Sequence, residues 1–233
     1  MVAILKMKQI LTLLTILVFL VACTTQNSTE DRPSPALVSQ EKEGDNYEQF
    51  LNLFEKIEPE NLHIYTPDDL KNGDKFKGKV IGQSFYKLLT YDDKFKFLFV
   101  DTTLHVYGCF RFKLSDTKTG LILRRPSEYY EESAIDLLIW DNSLKKVVGI
   151  NDLADSFGDE GWHFVQDAWL KDLNNDTKID IVTRYRDIDY DLDDSSKVTQ
   201  KDSLFAWLNM DTRFKKTVFK FDTTKYKLHN WNP

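Results

Sequence analysis

The sequence predicts a mainly β fold of antiparallel sheets, with one short helix near its start. Aromatic residues make up 13% of the 233 residues, and aromatic side chains favour strands over helices. Short runs of alternating apolar and polar residues recur along the chain, most clearly where Leu104, Val106, Phe110 and Phe112 alternate with more polar side chains. Asp and Asn pairs separate these runs, and both residues tolerate the backbone conformations of tight turns.

Residues 1–22 have the three parts of an export signal and are excluded from the fold. Lys6 and Lys8 give a basic start, and residues 10–21 form an apolar run. The run is shorter than the about 20 residues that a membrane-spanning helix needs, and the small residue Ala22 ends it. A signal peptide is therefore predicted.

The sequence Leu20-Val21-Ala22-Cys23 resembles the lipobox of bacterial lipoproteins. In that family the cysteine thiol receives a diacylglycerol, the preceding peptide is removed and the new amino terminus is acylated, palmitate being a typical chain. The resemblance implies that Cys23 is lipidated and anchors the protein, because two or more acyl chains hold a protein stably on a membrane. An ordinary secretory signal or an uncleaved signal anchor is the alternative.

Residues 23–44 are predicted to form a disordered tether. The stretch is polar, contains two prolines and shows no periodicity. Thr24 stands directly after the cysteine, where well-studied lipoproteins retained at the inner membrane carry aspartate. The lipoprotein resemblance therefore implies the outer membrane, with the domain facing the periplasm or the cell surface.

Charge and cysteine usage limit the possible functions. The formal net charge of -6 and the pI near 5.3 provide no basic field for a polyanion, so nucleic acid is not an expected partner. With Cys23 lipidated, the second cysteine, Cys109, has no partner for an internal disulfide. Its strand-like surroundings indicate a small buried side chain rather than a nucleophile.

One amphipathic helix is predicted to open the β-rich domain of residues 45–233. Five side chains repeat at helical spacing over residues 45–57, namely Tyr47, Phe50, Leu51, Phe54 and Ile57. Pro59 gives a stop signal. A second helical turn is predicted at residues 66–69, where a proline occupies the first helical position.

Strands are predicted over most of the remaining chain. Short β-rich runs cover residues 76–82, 84–91 and 94–100. A hairpin joins residues 134–140 to 144–150 around Asp141-Asn142-Ser143, and a polar loop at residues 158–163 leads into a strand over residues 162–170.

Two hairpin sequences are similar to each other. LLIWDNSLKKVVGI begins at Leu137 and LFAWLNMDTRFKKTVF at Leu204, and Trp140 aligns with Trp207. Such self-similarity predicts a repeated hairpin, as in blades or stacked sheet units. The tryptophans are too far apart for one blade of about 40–45 residues, so an insertion is required, and the acidic residues 187–202 are the candidate. The alternative is that any two amphipathic hairpins with an aromatic residue and a basic tip are this similar.

The stretch DLNNDTKIDIVTRY, from Asp172 onward, predicts a metal-binding loop. Asp172, Asn174 and Asp176 stand at alternate positions and Asp180 follows, so a tight turn would direct four side-chain oxygens towards one centre. Calcium accepts about 6–8 oxygen ligands, including a backbone carbonyl, here that of Lys178. A solvated Asp-Asn hairpin tip would show the same spacing without a metal.

The pattern D-x-N-x-D-x-x-x-D-I-V between strand-like segments resembles the calcium loops of FG-GAP or VCBS repeats in integrin-type β-propellers. The resemblance covers residues 164–219 and implies one calcium ion in a β-propeller-like or related repeated-hairpin domain. Thr177 replaces the usual glycine, which implies a strained turn or a weaker site. The EF-hand pattern would also require Glu where Thr183 stands. The ligands implied by the resemblance are the side chains of Asp172, Asn174, Asp176 and Asp180.

The acidic residues that follow this loop are not predicted to form a second site. Between Asp187 and Asp194, acids alternate with apolar residues over much of the stretch, as on one face of a strand. This pattern is typical of a solvated sheet edge or a flexible insert.

No catalytic motif is recognisable in the sequence, which has no nucleophile elbow, zinc-binding His pair, phosphate-binding glycine loop or CxxC pair. Asp159 and Glu160 are adjacent and cannot alone flank a glycosidic bond at the about 5–10 Å that glycosidases use. We therefore expect a non-catalytic, membrane-anchored lipoprotein whose calcium-stabilised domain binds a protein or glycan partner at the cell envelope. One alternative is an inhibitor or immunity lipoprotein against a peptidoglycan hydrolase. The other is an envelope glycan-acting enzyme whose site is assembled from distant residues.

Overall fold

The computed structural model describes residues 43–66, 74–89, 91, 105–126, 133–159, 161–191, 197–211 and 213–229. All of them belong to the compact unit Glu41–Pro233. The signal peptide, Cys23 and most of the tether lie outside the described residues, as do most of the helical turn predicted at residues 66–69 and the strand predicted at residues 94–100. In the described ranges, no helix combines the length and the apolar character that crossing a membrane requires.

Strands dominate the described residues, as predicted. They are β1 (Glu55–Lys56), β2 (Leu62–Ile64), β3 (Lys79–Ile81), β4 (Val106–Lys113), β5 (Lys118–Pro126), β6 (Ser133–Asp141), β7 (Lys146–Asp159), β8 (Trp162–Lys171), β9 (Asp180–Tyr190), β10 (Val198–Asn209) and β11 (Phe214–Thr217). Their order is β1-β4-β5-β6-β7-β8-β9-β10-β11, with β3 beside β4 and β2 beside β8. The pairing of β1 with β4 is parallel and the others are antiparallel, so the prediction of a mainly β protein is confirmed as one large mixed sheet.

Strand β7 belongs to two halves of this sheet. Residues 146–154 pair with β6, whereas residues 155–159 pair with β8. Two register shifts interrupt the β6–β7 pairing, and irregularities of this kind bend a strand. We call the strands β1, β3, β4, β5 and β6, with residues 146–154 of β7, the first half. The second half consists of residues 155–159 of β7, strands β8 to β11, and β2. Side chains of both halves form one core, which includes Phe112 and Ile139 from the first and Leu170 and Ile181 from the second.

Helices cover the face of the first half that points away from the core shared by the two halves. Helix α1 spans Glu43–Leu51, and a 3₁₀ turn at Gln83–Phe85 leads into helix α2, Tyr86–Leu89. Their side chains form a second core cluster with Leu121, Leu123 and Trp140. The strand predicted at residues 84–91 is therefore wrong, because Tyr86 and Leu89 lie one helical turn apart and are both buried.

The prediction of a helix over residues 45–57 is wrong at its end. After Leu51 the chain forms shorter-range hydrogen bonds, from Leu53 N to Phe50 O (3.1 Å) and from Phe54 N to Leu51 O (3.2 Å). The chain then enters β1, whose pairing with β4 stops the helix before Ile57. Phe54 still packs beside Phe50, with ring centroids 5.4 Å apart, so the apolar spacing does identify one buried face.

Both predicted hairpins are formed, but their tryptophans occupy different environments. The turn after Asp141 closes with a hydrogen bond from Lys145 N to Asp141 O (2.8 Å), and β10 pairs with β11. Trp140 is buried beneath α1, whereas Trp207 packs against the core between the halves and donates its indole N–H to Thr183 Oγ1 (3.0 Å). The similarity thus covers the local hairpin and not its packing.

The acidic stretch is not a sheet edge over its described part. Asp187 and Asp189 lie in β9, which pairs with β8 on one side and β10 on the other. The prediction of a solvated edge or flexible insert is therefore wrong for these residues, while residues 192–196 lie outside the described ranges.

The C-terminal segment, residues 221–229, covers the outer face of the second half. Tyr226 and Phe221 pack with Trp169 and Val182 in a third cluster. His229 N donates to Asp167 Oδ2 (2.8 Å), which also lies 2.7 Å from His63 Nε2. These contacts hold the segment against the sheet.

Candidate functional site

The predicted metal-binding loop connects β8 to β9. Lys171 ends β8 and pairs directly with Asp180, the first residue of β9. The strand flanks expected from the calcium-loop resemblance are therefore present, and Asp172, Asn174, Asp176, Lys178 and Asp180 are all brought into one hairpin connection.

Side chains within the loop fold its backbone. Asp172 accepts hydrogen bonds from Asp176 N (3.2 Å) and Thr177 N (2.8 Å), and Asn174 Oδ1 accepts one from Asp176 N (3.1 Å). Asp176 Oδ1 in turn accepts one from Lys178 N (2.9 Å). Asp and Asn commonly organise turns in this way, so the first three predicted ligands turn their oxygens towards the interior of the loop.

Two residues of this loop adopt the left-handed backbone conformation. Asn175 has φ of 62° and Thr177 has φ of 67°. Asn tolerates this conformation, but a β-branched residue there costs on the order of 1–3 kcal/mol. Thr177 stands where the resembling family has glycine, so the backbone is of the kind that glycine favours and the side chain opposes it.

Asp180 is the buried member of the group. It has no exposed surface, and it accepts hydrogen bonds from Leu173 N (3.0 Å) and from Asn209 N on β10 (2.8 Å). Burial raises its pKa and so do the nearby charges of Asp176 and Asp172, while the two hydrogen bonds act in the opposite direction. Asp180 therefore joins the loop to β10 at the cost of holding a carboxylate away from water.

Lys178 pairs its ammonium group with an acid outside this carboxylate cluster. Its Nζ lies 2.9 Å from Asp211 Oδ2, in the turn between β10 and β11, and this hydrogen bond raises the pKa of Lys178. Asn209 accepts a hydrogen bond from Asp211 N (2.9 Å), and its Nδ2 is buried without a hydrogen-bond partner among the described residues. The sequence analysis missed Asn209 because only strand pairing brings it beside the loop.

The loop fits calcium in its donor chemistry. Carboxylate, amide and backbone oxygens are the ligands that this ion prefers, and the hydrogen bonds above bring Asp172, Asn174 and Asp176 into one turn beside Asp180. Within the described ranges, however, no group of three or more His, Cys, Asp or Glu side chains is arranged as metal ligands. Here most of the loop's side-chain oxygens accept hydrogen bonds from backbone N–H groups, and Asp176 Oδ2 accepts one from Asn174 Nδ2 (3.1 Å).

A cavity of about 200 Å³ that the sequence analysis missed lies beside the core between the two halves. Two aromatic side chains and several polar ones surround it, as in many small-molecule sites. The residues that contribute come from β7, β9 and β10, so no local pattern identifies them. They are Ile150, Asn151, Asp152, Ile181, Thr183, Tyr185 and Trp207.

Acidic residues cluster near this cavity. Asp136 pairs directly with Asp152 across β6 and β7, and Arg125 Nε forms a buried ion pair with Asp136 Oδ2 (2.7 Å). Burial raises the pKa of the neighbouring Asp155 to about 6, against the effect of Arg125. A carboxyl group with such a pKa can take up or release a proton near neutral pH.

The structure also describes Cys109 and the turn between β7 and β8, for which predictions were made from the sequence. Cys109 is buried, its thiol lies 3.4 Å from Phe76 O, and burial raises its pKa to about 12, so the prediction of a structural cysteine is confirmed. The polar loop predicted at residues 158–163 is shorter than expected, because Gly158 pairs with His163 and Asp159 with Trp162, and Gly161, with φ of 94°, lies in the tight turn between β7 and β8.

Comparisons of this chain with protein-family models, curated proteins and solved structures gave no match.

Proposed function

We propose that this protein is a non-catalytic envelope lipoprotein, anchored in the outer membrane through lipidated Cys23, whose β domain binds a protein or glycan partner. One calcium ion in residues 172–180 stabilises the domain, which is β-propeller-like or of a related repeated-hairpin type. The observation that carries the calcium proposal is the buried carboxylate of Asp180 beside Asp172 and Asp176.

The electrostatics of the loop support a bound cation. Three carboxylates close together raise the free energy of the folded state, whereas a divalent ion reverses the sign of those interactions. Lys178 forms its ion pair with Asp211, and its charge reaches Asp176 and Asp180 only as a weaker influence. Calcium would therefore supply the positive charge that this loop requires, with Asp172, Asn174, Asp176, Asp180 and the carbonyl of Lys178 as ligands.

The position of the loop supports a role in displaying a binding surface. The β8–β9 loop is joined to the β10–β11 turn through Asp180 with Asn209 and through Lys178 with Asp211. Loops that are fixed to a rigid sheet are common sites of partner recognition. Calcium would make this pair of loops more rigid.

The calcium proposal is tested by thermal unfolding in millimolar calcium and in chelator. Extracellular calcium modules bind at about 10⁻⁴–10⁻³ M, and tenfold saturation adds about 1.4 kcal/mol of stability. We expect the melting temperature of the wild type to rise by a few degrees. Asp176→Ala should abolish this rise, because it removes a carboxylate from the centre of the loop.

The matched control for that variant is Asp116→Ala, which removes an exposed carboxylate from the turn between β4 and β5. It should keep the full response to calcium. Equal melting temperatures of the wild type in calcium and chelator, together with no binding heat in calorimetry, would show that the loop is only a polar turn.

The anchor is tested by fractionating membranes from cells that express the protein. Cys23→Ser should give a soluble or uncleaved form and should lose incorporation of labelled palmitate, because it removes the thiol that carries the lipid. Cys109→Ala is the control, since the other cysteine remains, and it should stay in the outer-membrane fraction. If a cleaved Cys23→Ser protein still sediments with membranes, Cys23 is not the anchor.

A second candidate function is that of an envelope glycan-acting enzyme. The cavity lined by Asp152, Tyr185 and Trp207, with Asp155 nearby, favours this candidate. Cleavage of peptidoglycan fragments by the wild type, lost in Asp155→Asn without loss of folding, would replace the non-catalytic proposal. The same preparation added to a lysozyme-like hydrolase tests the inhibitor alternative.

A further inference from the structure

We propose that a basic pocket under the C-terminal segment binds an oxyanion, the carboxylate or phosphate group of a small envelope molecule. The pocket has a volume of about 400 Å³. This inference goes beyond the proposed function, because it depends neither on calcium in residues 172–180 nor on the lipid anchor. Its walls are Arg184, Arg186, Thr223, Thr224, Lys227 and Leu228.

Two arginines on one strand form the floor of this pocket. Arg184 and Arg186 are two positions apart on β9, and side chains at that spacing lie on the same face of a sheet. This is the face that carries Val182, which packs against Tyr226 of the C-terminal segment. The segment therefore forms the roof and the sheet forms the floor.

Asp202 on β10 holds both guanidinium groups in position. Arg186 donates from Nε to Oδ1 (2.7 Å) and from Nη2 to Oδ2 (2.8 Å), and Arg184 also bonds to Oδ2. The hydrogen bond from Arg186, followed by that from Arg184, keeps the pKa of Asp202 well below its usual value despite partial burial. Asp202 is therefore ionised and pre-organises the two arginines for a second anion.

Arg184 has a donor without an acceptor. Its Nη1 donates to Tyr226 O (2.5 Å) and lies 3.5 Å from Thr223 O. Its Nε is buried, and among the described residues it has no hydrogen-bond partner. A buried N–H without an acceptor is unfavourable, so the hydrogen-bonding capacity of the Arg184 guanidinium is not fully used by the protein.

The local charge is positive on an acidic protein. The charged lining residues are all cationic, Arg184, Arg186 and Lys227, in a chain whose formal net charge is -6. Of the two acids beside the arginines, Asp202 bonds to both, and Asp167, opposite Arg184 on β8, is held by His63 and by the backbone N–H of His229. Lys227 is exposed and forms no ion pair within the described ranges, and Asp222 at the start of the segment is paired with Lys225 (3.6 Å). The bonds of Arg184 and Arg186 to Asp202 already join β9 to β10, and Lys227 is not needed for that contact. The additional positive charge of Lys227 therefore indicates an anionic ligand.

The pocket walls select the class of ligand. Guanidinium, ammonium and threonine hydroxyl groups provide hydrogen-bond donors, and Leu228 is the one apolar residue among the lining residues. A polar molecule of monosaccharide size that carries a phosphate or a carboxylate fits these walls better than an apolar ligand does. Phosphate and carboxylate groups both present anionic oxygens to these donors, and the experiment distinguishes them by using one probe of each kind.

The test is isothermal titration calorimetry of the soluble domain, residues 24–233, at constant ionic strength, after circular dichroism has shown it to be folded. Inorganic phosphate and glucuronate are the two anionic probes, and glucose is the neutral control with the same ring as glucuronate. We expect saturable binding of at least one anion and none of glucose. Tighter binding of phosphate identifies a phosphate-bearing ligand, and tighter binding of glucuronate identifies a sugar carboxylate.

The variants establish where the anion binds. Lys227→Gln is exposed and should keep the fold while weakening binding about tenfold. Lys225→Gln removes the same positive charge from the same segment, but Lys225 is not a lining residue of the pocket. This variant should leave binding unchanged. Arg186→Gln should weaken binding further, and Asp202 would still be paired with Arg184 in that variant.

Three results would overturn the proposal. They are the absence of binding of both anions at millimolar concentration, equal binding of glucose and glucuronate when phosphate does not bind, and equal losses in Lys225→Gln and Lys227→Gln, which would show non-specific attraction. Asp176→Ala should bind the anion normally, so a failure of the calcium proposal can be distinguished from a failure of this one.

Discussion

The tips of two hairpins use the same hydrogen-bonding device. In the β6–β7 turn, Asp141 Oδ1 accepts from Ser143 N (2.9 Å) and Leu144 N (2.8 Å). In the β8–β9 loop, Asp180 accepts from Leu173 N (3.0 Å) and Asn209 N (2.8 Å). One carboxylate thus closes each tip by satisfying two backbone donors.

The two tips differ in how the charge of that carboxylate is balanced. Lys118 forms an ion pair with Asp141, and this contact together with the two backbone bonds lowers the pKa of Asp141. At the second tip, burial raises the pKa of Asp180 and so do the charges of Asp176 and Asp172, while Lys178 forms its ion pair with Asp211 instead. The difference teaches that hydrogen bonds can fix a loop without balancing the charge of its carboxylate. Lys118 balances that charge at the first tip, whereas burial and two neighbouring acids act against it at the second.

The largest expected effect comes from removing each carboxylate in turn. Asp180→Ala leaves the buried backbone N–H of Asn209 and the partly buried one of Leu173 without acceptors, at a cost of about 3 kcal/mol in the free energy of unfolding. Asp141→Ala should cost less, because Ser143 and Leu144 are exposed and water can replace the lost acceptor. Urea denaturation of both variants measures this difference, and equal losses would contradict the comparison.

A smaller effect is expected from removing the cation of the first tip. Lys118→Gln makes that tip resemble the second, so the pKa of Asp141 should rise and the melting temperature should fall by about 2–4 °C. Lys113→Gln is the matched control, because the ion pair of Lys113 with Asp116 is largely exposed and such pairs contribute little. A carboxyl titration followed by nuclear magnetic resonance, together with thermal unfolding, measures both quantities. A control that loses as much as Lys118→Gln would argue against a special role for the Lys118 pair.

The smallest effect is a difference in the sign of pH dependence. The pKa of Asp141 is lowered by folding, so its stabilisation is present above its ordinary value of 3.8 and is lost as pH falls through the folded value. The pKa of Asp180 is raised, so its contribution is present below the ordinary value and is lost as pH rises through the folded value. In chelator, acidification from pH 7 to pH 3 should therefore reduce the difference in melting temperature by which the wild type exceeds Asp141→Asn. The same acidification should raise the melting temperature of the wild type relative to that of Asp180→Asn. Melting temperatures that change in the same direction for both pairs would show that the two carboxylates are in similar environments.

Features that depend on neighbouring residues were predictable from the sequence. The turn after Asp141 and the loop from Asp172 follow from turn-forming residues between alternating segments, and these are properties of a few consecutive residues. The apolar spacing from Tyr47 to Phe54 likewise identified one buried face.

Features that depend on strand pairing were not predictable. Helix α1 ends early because β1 pairs with β4, and residues 83–89 form a 3₁₀ turn and a helix whose buried side chains pack against the first half of the sheet. The pairing of Arg184 and Arg186 with Asp202 depends on the register of β9 against β10. The side chains around the 200 Å³ cavity come from three strands, so their proximity has no signature in any single stretch of sequence.

The order of the strands also has a consequence for how the chain folds. From β4 to β11 each strand pairs with the next one in the sequence, so these contacts close short loops. Strand β2 instead pairs with β8, and His63 meets Asp167 across a separation of 104 residues. Closing so long a loop is slow compared with forming hairpins, so we expect β2 to add to the sheet after β8 and β9 have paired. When the chain is synthesised or exported from its N-terminus, Leu62–Ile64 therefore has no strand partner until β8 has also emerged.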